Sequence, residues 1–183
     1  MPAGRVRGGA GVALLNDCKY GYDVHDNVMR LTLLKSATSP DENADQGEHL
    51  MTYSLLPHMG DWRDDVAAAA YDLNIPLILR RVAGGTMGET PTTALGSLVS
   101  LSVDHVIIET VKRAEDGNGI IVRMYENERS RGKVTVTTGF ALTEAYHCNL
   151  LEENGDMLTV QNNQLQIDVT PYQIITLRLL PQQ

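Results

Sequence analysis

Cysteine is scarce in this sequence: Cys18 and Cys148 are the only two in 183 residues, and no CxxC pair occurs. This scarcity argues against a disulfide-based scaffold and against a cysteine-rich zinc module. The adjacent residues His147 and Cys148 could both bind zinc, but a zinc site needs three or four ligands, so this interpretation is disfavoured. We therefore expect no metal site in this chain, both thiols free, and a cytoplasmic location.

Long apolar runs and basic stretches are missing as well, and aromatic residues are few. No apolar segment reaches membrane-spanning length, and the N-terminal MPAGRVRGGAG lacks the apolar core of a signal peptide. The formal net charge is -8 and the densest basic cluster, Arg129, Arg131 and Lys133, has acidic neighbours. We therefore expect neither a membrane nor a nucleic-acid partner. Aromatic residues make up 5%, which is low for a sugar-stacking platform.

Familiar catalytic motifs are absent as well. Neither Gly-x-Ser-x-Gly nor HExxH occurs. The early GGAG precedes a strand and lacks a Lys-Ser/Thr ending, so it is not a phosphate loop, and we interpret it as a flexible start. Many acidic residues are present, but the sequence does not show which two would face each other as in a glycosidase.

What is present is a normal globular balance, with 43% hydrophobic and 21% charged residues. One helix is predicted over Val66–Leu73, capped by Asp61 or Asp64. A Gly-, Thr- and Pro-rich loop, Ala83–Thr93, is the best linker candidate. The strands predicted before that loop are Val12–Leu15, Val28–Lys35, Thr52–Leu56 (closed by Pro57) and an extended Pro76–Val82.

After the linker, short strands follow at regular spacing, which is typical of a small β-sandwich. Turns are predicted at 116–119 and 154–156, because Asn and Gly tolerate positive φ. The strands are Val99–Val103, Val106–Lys112, Gly119–Tyr125, Lys133–Thr138, Ala145–Asn149, Leu158–Val160, Gln164–Val169 and Ile174–Leu180. The prediction is a mainly β chain with two regions, residues 1–90 and 91–183, and one short helix.

Three polar stretches are candidates for chemistry. In 16–23, Asp17, Tyr20 and Tyr22 could line a sugar site, although a strand-to-turn corner held by backbone bonds is favoured. In 41–49, Asp45 and His49 could bind a metal or act as acid and base, but a polar loop facing a neighbouring domain is favoured.

The third stretch, 57–62, contains His58 and the only tryptophan, Trp62. A histidine beside a helix start is more often a structural hydrogen-bonder than a ligand. A tryptophan there more often packs the helix onto a sheet than stacks on a ligand. The structural interpretation is favoured for both.

Six segments carry a resemblance to a known family. They are GVALLNDCKYGYDVHDNVMRLTLLKS, DQGEH, YSLLPHMGDW, AAYDLNIPL, ETVKRAEDGNGIIVRMYE and PYQIITLRL. In this order they resemble the C-terminal part of the α-mannosidases of glycoside hydrolase family 38, cytosolic and vacuolar branch. The resemblance runs from about Gly11 to Leu180. It implies the end of a large β-sandwich domain over residues 1–90 and a small terminal β-sandwich over 91–183.

The resemblance also implies what this chain does. The zinc ligands and the carboxylate nucleophile belong to a separate N-terminal α/β domain, so this chain alone is expected to be inactive. It would act as scaffold, and loops around Lys19–Asp23 and Lys35–His49 would wall the cleft that holds a mannose-containing oligosaccharide. Cleft candidates are Asp17, Lys19, Tyr20, Tyr22, Lys35, Asp45 and His49.

The expected partners are the catalytic domain and a second copy bound through exposed sheet edges. Relatives often have arginine at Lys35, and lysine does not replace an arginine fork equally. The start also departs from the family pattern, which predicts a truncated or separately encoded piece. A stand-alone carbohydrate-binding or assembly module is the alternative.

Overall fold

A computed structural model describes residues 3–6, 9–79 and 96–182. The chain divides into two compact units, Met1–Ala83 and Gly84–Gln183. The linker predicted at Ala83–Thr93, with the boundary between residues 90 and 91, lies outside the described residues. Residues 76–79 have no regular secondary structure, and the rest of the predicted extended stretch to Val82 is also outside them.

The first unit contains a small antiparallel sheet with one helix on it. Its sheet has the order β1-β2-β5, and β3 and β4 form a separate hairpin. The elements are β1 (Ala3–Val6), β2 (Ala10–Asn16), β3 (Tyr22–His25), β4 (Val28–Leu31), β5 (Tyr53–Met59) and α1 (Trp62–Asn74). Ala13 and Leu15 of β2 and Val66 and Ala70 of α1 form the buried core.

Helix α1 begins at Trp62, directly after the predicted cap Asp61 and earlier than the predicted start at Val66. Asp61 adopts an extended conformation and its side chain accepts a hydrogen bond from the Arg63 N–H, while the Asp64 carboxylate accepts one from the Asp61 N–H at 2.9 Å. This reciprocal capping satisfies amide groups that have no partner within the helix. The predicted cap and helix are confirmed. At 13 residues α1 is too short to cross a bilayer, and no helix of the described residues could do so.

Three predictions in this unit were wrong. The start is not merely flexible, because Ala3–Val6 pairs with β2. Pro57 does not close β5, which continues to Met59. In the sheet, β5 is an edge strand, because it pairs with β2 alone. An edge strand can include Pro57, which has no N–H to donate. Strand β4 ends at Leu31 instead of Lys35, because its partner β3, Tyr22–His25, is equally short. The polar sequence of β3 did not predict a strand.

The second unit is a sandwich of two antiparallel sheets. Their orders are β11-β10-β14-β8-β7 and β12-β13-β9-β6. The strands are β6 (Val99–Leu101), β7 (Val106–Arg113), β8 (Ile120–Glu126), β9 (Gly132–Thr138), β10 (Leu142–Cys148), β11 (Asn154–Leu158), β12 (Val160–Gln161), β13 (Gln164–Val169) and β14 (Ile174–Pro181). The mainly β fold is confirmed.

Alternation along the strands builds the core of this sandwich. Leu165, Ile167 and Val169 of β13 are buried while the residues between them are exposed, so one face of the strand points inward. Strand β14 contributes Leu177 and Leu179 from the other sheet to the same core. The predicted range and inward face of β13 are both confirmed.

Turn chemistry was predicted correctly at one position and wrongly at another. The turn at 116–119 forms, and Gly119 has φ +95, where an added Cβ would lie 2.7 Å from the Leu179 carbonyl oxygen. The segment 154–156 is part of strand β11 instead of a turn. The chain reverses earlier, because the Asn149 side-chain oxygen accepts hydrogen bonds from the N–H groups of Leu151 and Glu153.

Candidate functional site

The corner after β2 is held together by side-chain bonds to backbone. The Asp17 carboxylate accepts a hydrogen bond from the Thr52 N–H at 2.9 Å, and the Asn16 side chain accepts one from the Lys19 N–H at 2.6 Å. The Cys18 side chain, followed by the Thr52 N–H, lowers the pKa of Asp17 by hydrogen bonding. Asp17 is thus an ionised structural tie between two segments far apart in sequence.

The two tyrosines of this corner face outward. Tyr20 is 86% exposed and Tyr22 is 51% exposed, on the short strand β3. Lys19 is partly buried. Exposed aromatic rings beside a fixed corner could contact a ligand or a neighbouring domain. That these residues bind substrate stays a prediction.

The second candidate loop is closed on itself through Asp45. The Asp45 carboxylate accepts a hydrogen bond from the Ser36 N–H at 2.8 Å, and the Asp45 carbonyl oxygen lies 2.8 Å from the His49 ring Nε2. Asp45 itself has φ 61, in the left-handed region. The structure therefore brings Asp45 and His49 together with the backbone beside Lys35. All three side chains are exposed, and their role stays a prediction.

His58 and Trp62 differ in part from expectation. His58 was predicted to be a structural hydrogen-bonder, yet both of its ring nitrogens are buried and have no partner. Trp62 is the first residue of α1 and is 37% exposed, with the Arg63 guanidinium 5.1 Å above its ring. Trp62 therefore takes part in a cation–π contact at the surface.

Metal-ligating side chains do not converge in the part of the chain that the structure describes. Among these residues no group of three His, Cys, Asp or Glu could hold a metal ion. His147 and Cys148 are consecutive residues of β10, so their side chains point to opposite faces of the sheet. The Cys148 thiol instead donates to the Asn154 side chain at 3.4 Å.

Sequence reasoning missed a buried carboxylate at the end of β8. Glu126 accepts hydrogen bonds from the N–H groups of Glu128, Arg129 and Ser130 in the next turn, and from Tyr172 at 2.8 Å. Burial alone would raise the pKa of Glu126, but these bonds outweigh burial and hold it below its usual range. The local Glu-x-x-x-Ser sequence gives no sign of the contact with Tyr172, which is 46 residues away.

A second buried polar group covers the outer face of the five-stranded sheet. The Arg178 guanidinium donates to both Asp116 oxygens, at 2.9 and 2.8 Å, and to the Glu152 carbonyl at 2.8 Å. Lys112 binds the Glu152 carboxylate at 2.8 Å and also Glu115. Lys112 and then the Glu115 N–H lower the pKa of Glu152. These contacts fasten two loops to the sheet and bury the Arg178 side chain, whose Nε alone has no partner.

Comparison with known proteins identifies the family. Residues 105–177 match the glycosyl hydrolases family 38 C-terminal beta sandwich domain, and residues 7–43 match the glycosyl hydrolases family 38 C-terminal domain. The chain carries C-terminal domains of glycosyl hydrolase family 38. Its residues correspond to the C-terminal region of that family, so the predicted family is confirmed.

Curated relatives extend this similarity over most of the chain. Human Alpha-mannosidase 2C1 is 38% identical over 180 residues, which are 95% of this chain and 17% of the relative. Alpha-mannosidase G of Dictyostelium discoideum is 32% identical over 174 residues, 93% of this chain and 16% of that protein. Alpha-mannosidase of Saccharomyces cerevisiae is 29% identical over 192 residues. The chain thus spans about a sixth of the length of these relatives.

Proposed function

We propose that this chain is the non-catalytic C-terminal portion of an α-mannosidase. The whole enzyme would remove terminal α-mannosyl residues from oligosaccharides with retention of configuration. The observation that carries this proposal is that both parts of the chain match C-terminal domains of family 38, while its relatives are several times longer. Zinc and the nucleophile would be supplied by the catalytic α/β domain, and the enzyme would work in the cytoplasm.

The apolar side chains that β5 exposes on one face of the first unit's sheet support a scaffold role. Helix α1 packs on one face of this sheet, and the core residues point toward it. On the opposite face Tyr53, Leu55 and Met59 are each more than half exposed, at 57%, 63% and 73%. A sheet normally buries both faces or presents polar residues on one. We propose that the remainder of the large β domain covers this outer face.

The two loops tied by Asp17 and Asp45 suit the wall of a cleft. Each is fixed by a carboxylate bound to backbone N–H groups, so the neighbouring Tyr20 and Lys35 are presented from a defined backbone. A lysine ammonium can donate to sugar hydroxyls from such a position, although without the paired geometry of an arginine. We place these residues beside the substrate, with no role in bond cleavage.

A domain-replacement experiment tests the proposal. The matching segment of human Alpha-mannosidase 2C1 is replaced by this chain, and hydrolysis of p-nitrophenyl α-mannoside is followed. We expect turnover by the chimera, none by the relative with the segment deleted, and none by this chain alone with zinc added. Zinc-dependent turnover by this chain alone would falsify the proposal. A soluble chimera without turnover would count against the scaffold role.

A further inference from the structure

An open groove of about 610 Å³ lies on the second unit. Two of the seven tyrosines of the chain border it, which is notable in a sequence so poor in aromatic residues. The groove is mainly apolar, with one cation and one exposed anion at its edge. The side chains that matter here belong to Glu109, Arg123, Tyr125, Leu150, Tyr172 and Ile174.

Tyr172 is held at the groove in an unusual backbone conformation. Its φ is 58, in the left-handed region that bulky residues rarely adopt, and its side chain is 64% exposed. Its N–H donates to the buried Glu126 carboxylate at 2.8 Å, which fixes the backbone. An exposed ring gains little from burial that would offset this strain, and such outliers cluster at ligand-binding positions.

Glu109 reaches the groove from an irregular point of β7. The pairing of β7 with β8 shifts register between Ile108 and Thr110, so Glu109 is the extra residue of a bulge. Bulges redirect side chains and are frequent beside binding sites. The exposed Glu109 carboxylate lines the groove on this edge strand. One of its oxygens accepts a hydrogen bond from the Thr110 hydroxyl at 3.2 Å.

Arg123 is also oriented before any ligand binds. Its Nε donates to the Thr176 hydroxyl at 3.3 Å and its Nη2 to the Leu150 carbonyl at 3.2 Å. These bonds reduce the side-chain freedom that would be lost on binding. Asn127, a further lining residue, has a buried side-chain oxygen without a partner in the described structure. The groove thus combines fixed polar groups with aromatic and aliphatic surface.

This combination favours one class of ligand. Aromatic rings stack on the apolar faces of sugar rings, while a carboxylate and a guanidinium bind hydroxyl groups in the ring plane. The lining carries the Arg123 cation, the exposed Glu109 anion and the buried Glu126 carboxylate, whose charge is already bound by four backbone N–H groups. The groove therefore has no net preference for a charged ligand. We propose that this groove binds a neutral oligosaccharide, with Tyr172 as the stacking residue and Glu109 and Arg123 as hydroxyl ligands. Only the choice of mannosides as the first probe rests on the function proposed above.

Titration of the full chain, labelled with ¹⁵N, tests this site. The probes are linear α-linked mannotriose and maltotriose, and amide chemical shifts report where each sugar binds. We expect saturable shifts at Glu109, Arg123 and Tyr172 with mannotriose. Shifts with maltotriose alone would support the groove while arguing against a mannoside preference. Absence of shifts at the groove with both sugars would overturn the proposal and leave the domain-replacement result unaffected.

Two variants separate binding from folding. Tyr172→Asn removes the ring but keeps a residue that tolerates positive φ, so the fold should be retained or stabilised. We expect its affinity for the sugar to fall about tenfold or more, a loss equivalent to about 1.4 kcal/mol. Leu151→Asn changes an exposed residue that does not line the groove, and it should leave the affinity unchanged. Equal binding by the Tyr172→Asn variant and the parent would overturn the assignment.

Discussion

At the scale of single residues, the buried Glu126 is the most informative side chain. It accepts hydrogen bonds from four backbone N–H groups. We expect Glu126→Gln to lower the free energy of unfolding of the chain by about 1–3 kcal/mol at neutral pH, because hydrogen bonds to a charged acceptor are lost or weakened. Chemical denaturation monitored by circular dichroism measures the change. An exposed control, Glu48→Gln, should change stability little.

The difference in free energy of unfolding between the parent and the Glu126→Gln variant should depend on pH in one direction. The pKa of Glu126 in the folded state lies below its usual value of 4.5. Its ionised form therefore stabilises the fold fully above pH 4.5, and that contribution is lost as pH falls through the folded-state pKa. The stability gap between the parent and the Glu126→Gln variant should narrow below pH 4.5. A gap that is constant from pH 7 to pH 3 would contradict the assignment, since the other acids are common to both proteins.

His58 illustrates the opposite case, a buried polar group without partners. Both ring nitrogens are buried and unbonded. We expect His58→Phe to leave the free energy of unfolding unchanged or to raise it by about 1 kcal/mol, because an unsatisfied buried group is removed. His49→Phe, which loses the contact with the Asp45 carbonyl oxygen, should not raise it. Thermal unfolding of the two variants compares them directly, and a destabilised His58→Phe protein would show that the imidazole has a bonding partner.

At the scale of secondary structure, helix α1 depends on its cap. Asp61 and Asp64 satisfy each other's backbone N–H groups at the first turn. We expect Asp61→Ala to lower the free energy of unfolding by about 1 kcal/mol, the usual cost of losing a side-chain N-cap. Urea denaturation measures it, with Asp72→Ala, near the other end of the helix, as the control. An equal loss in both variants would indicate a general charge effect.

Elements with regular periodicity were predictable, and elements held by distant contacts were not. The alternation of Gln164–Val169 determines which side of β13 is buried, so both its range and its face were predicted correctly. The turn at 154–156 was predicted wrongly, because the hydrogen bonds of Asn149 reverse the chain first and place Asn154 opposite Cys148. Pairing partners also decide the length of β4 and β5, and no local pattern encodes them.

The candidate site was less predictable than the fold for the same reason. Asp17 and Asp45 are recognisable as polar loop residues, but their partners Thr52 and Ser36 follow from the tertiary structure. Glu126 and Arg178 carry no sequence signal, since their donors and acceptors lie up to 62 residues away. Tyr172 follows a proline in an ordinary turn sequence, and only the backbone shows its left-handed conformation.

At the scale of the whole molecule, we expect the exposed apolar side chains of β5 in the first unit to promote association. The chain on its own should self-associate at high concentration through these side chains or through open strand edges. We expect Leu55→Asp to reduce that association while changing the free energy of unfolding little, because Leu55 is 63% exposed. Light scattering over a concentration series measures it, with Ala68→Asp on α1 as the control. A chain that is strictly monomeric at high concentration would contradict the expectation.

The contacts of Glu126 also limit how this sandwich can vary in length. Surface turns usually accept inserted residues, since no buried group depends on their exact path. Here one carboxylate receives N–H groups from residues 128–130 and from Tyr172, so two separate turns share one anion. An extra residue in either turn would move at least one N–H away and leave a buried charge with fewer donors. Both turns are therefore restricted in length, just as the core is restricted in the side-chain volume that it accepts.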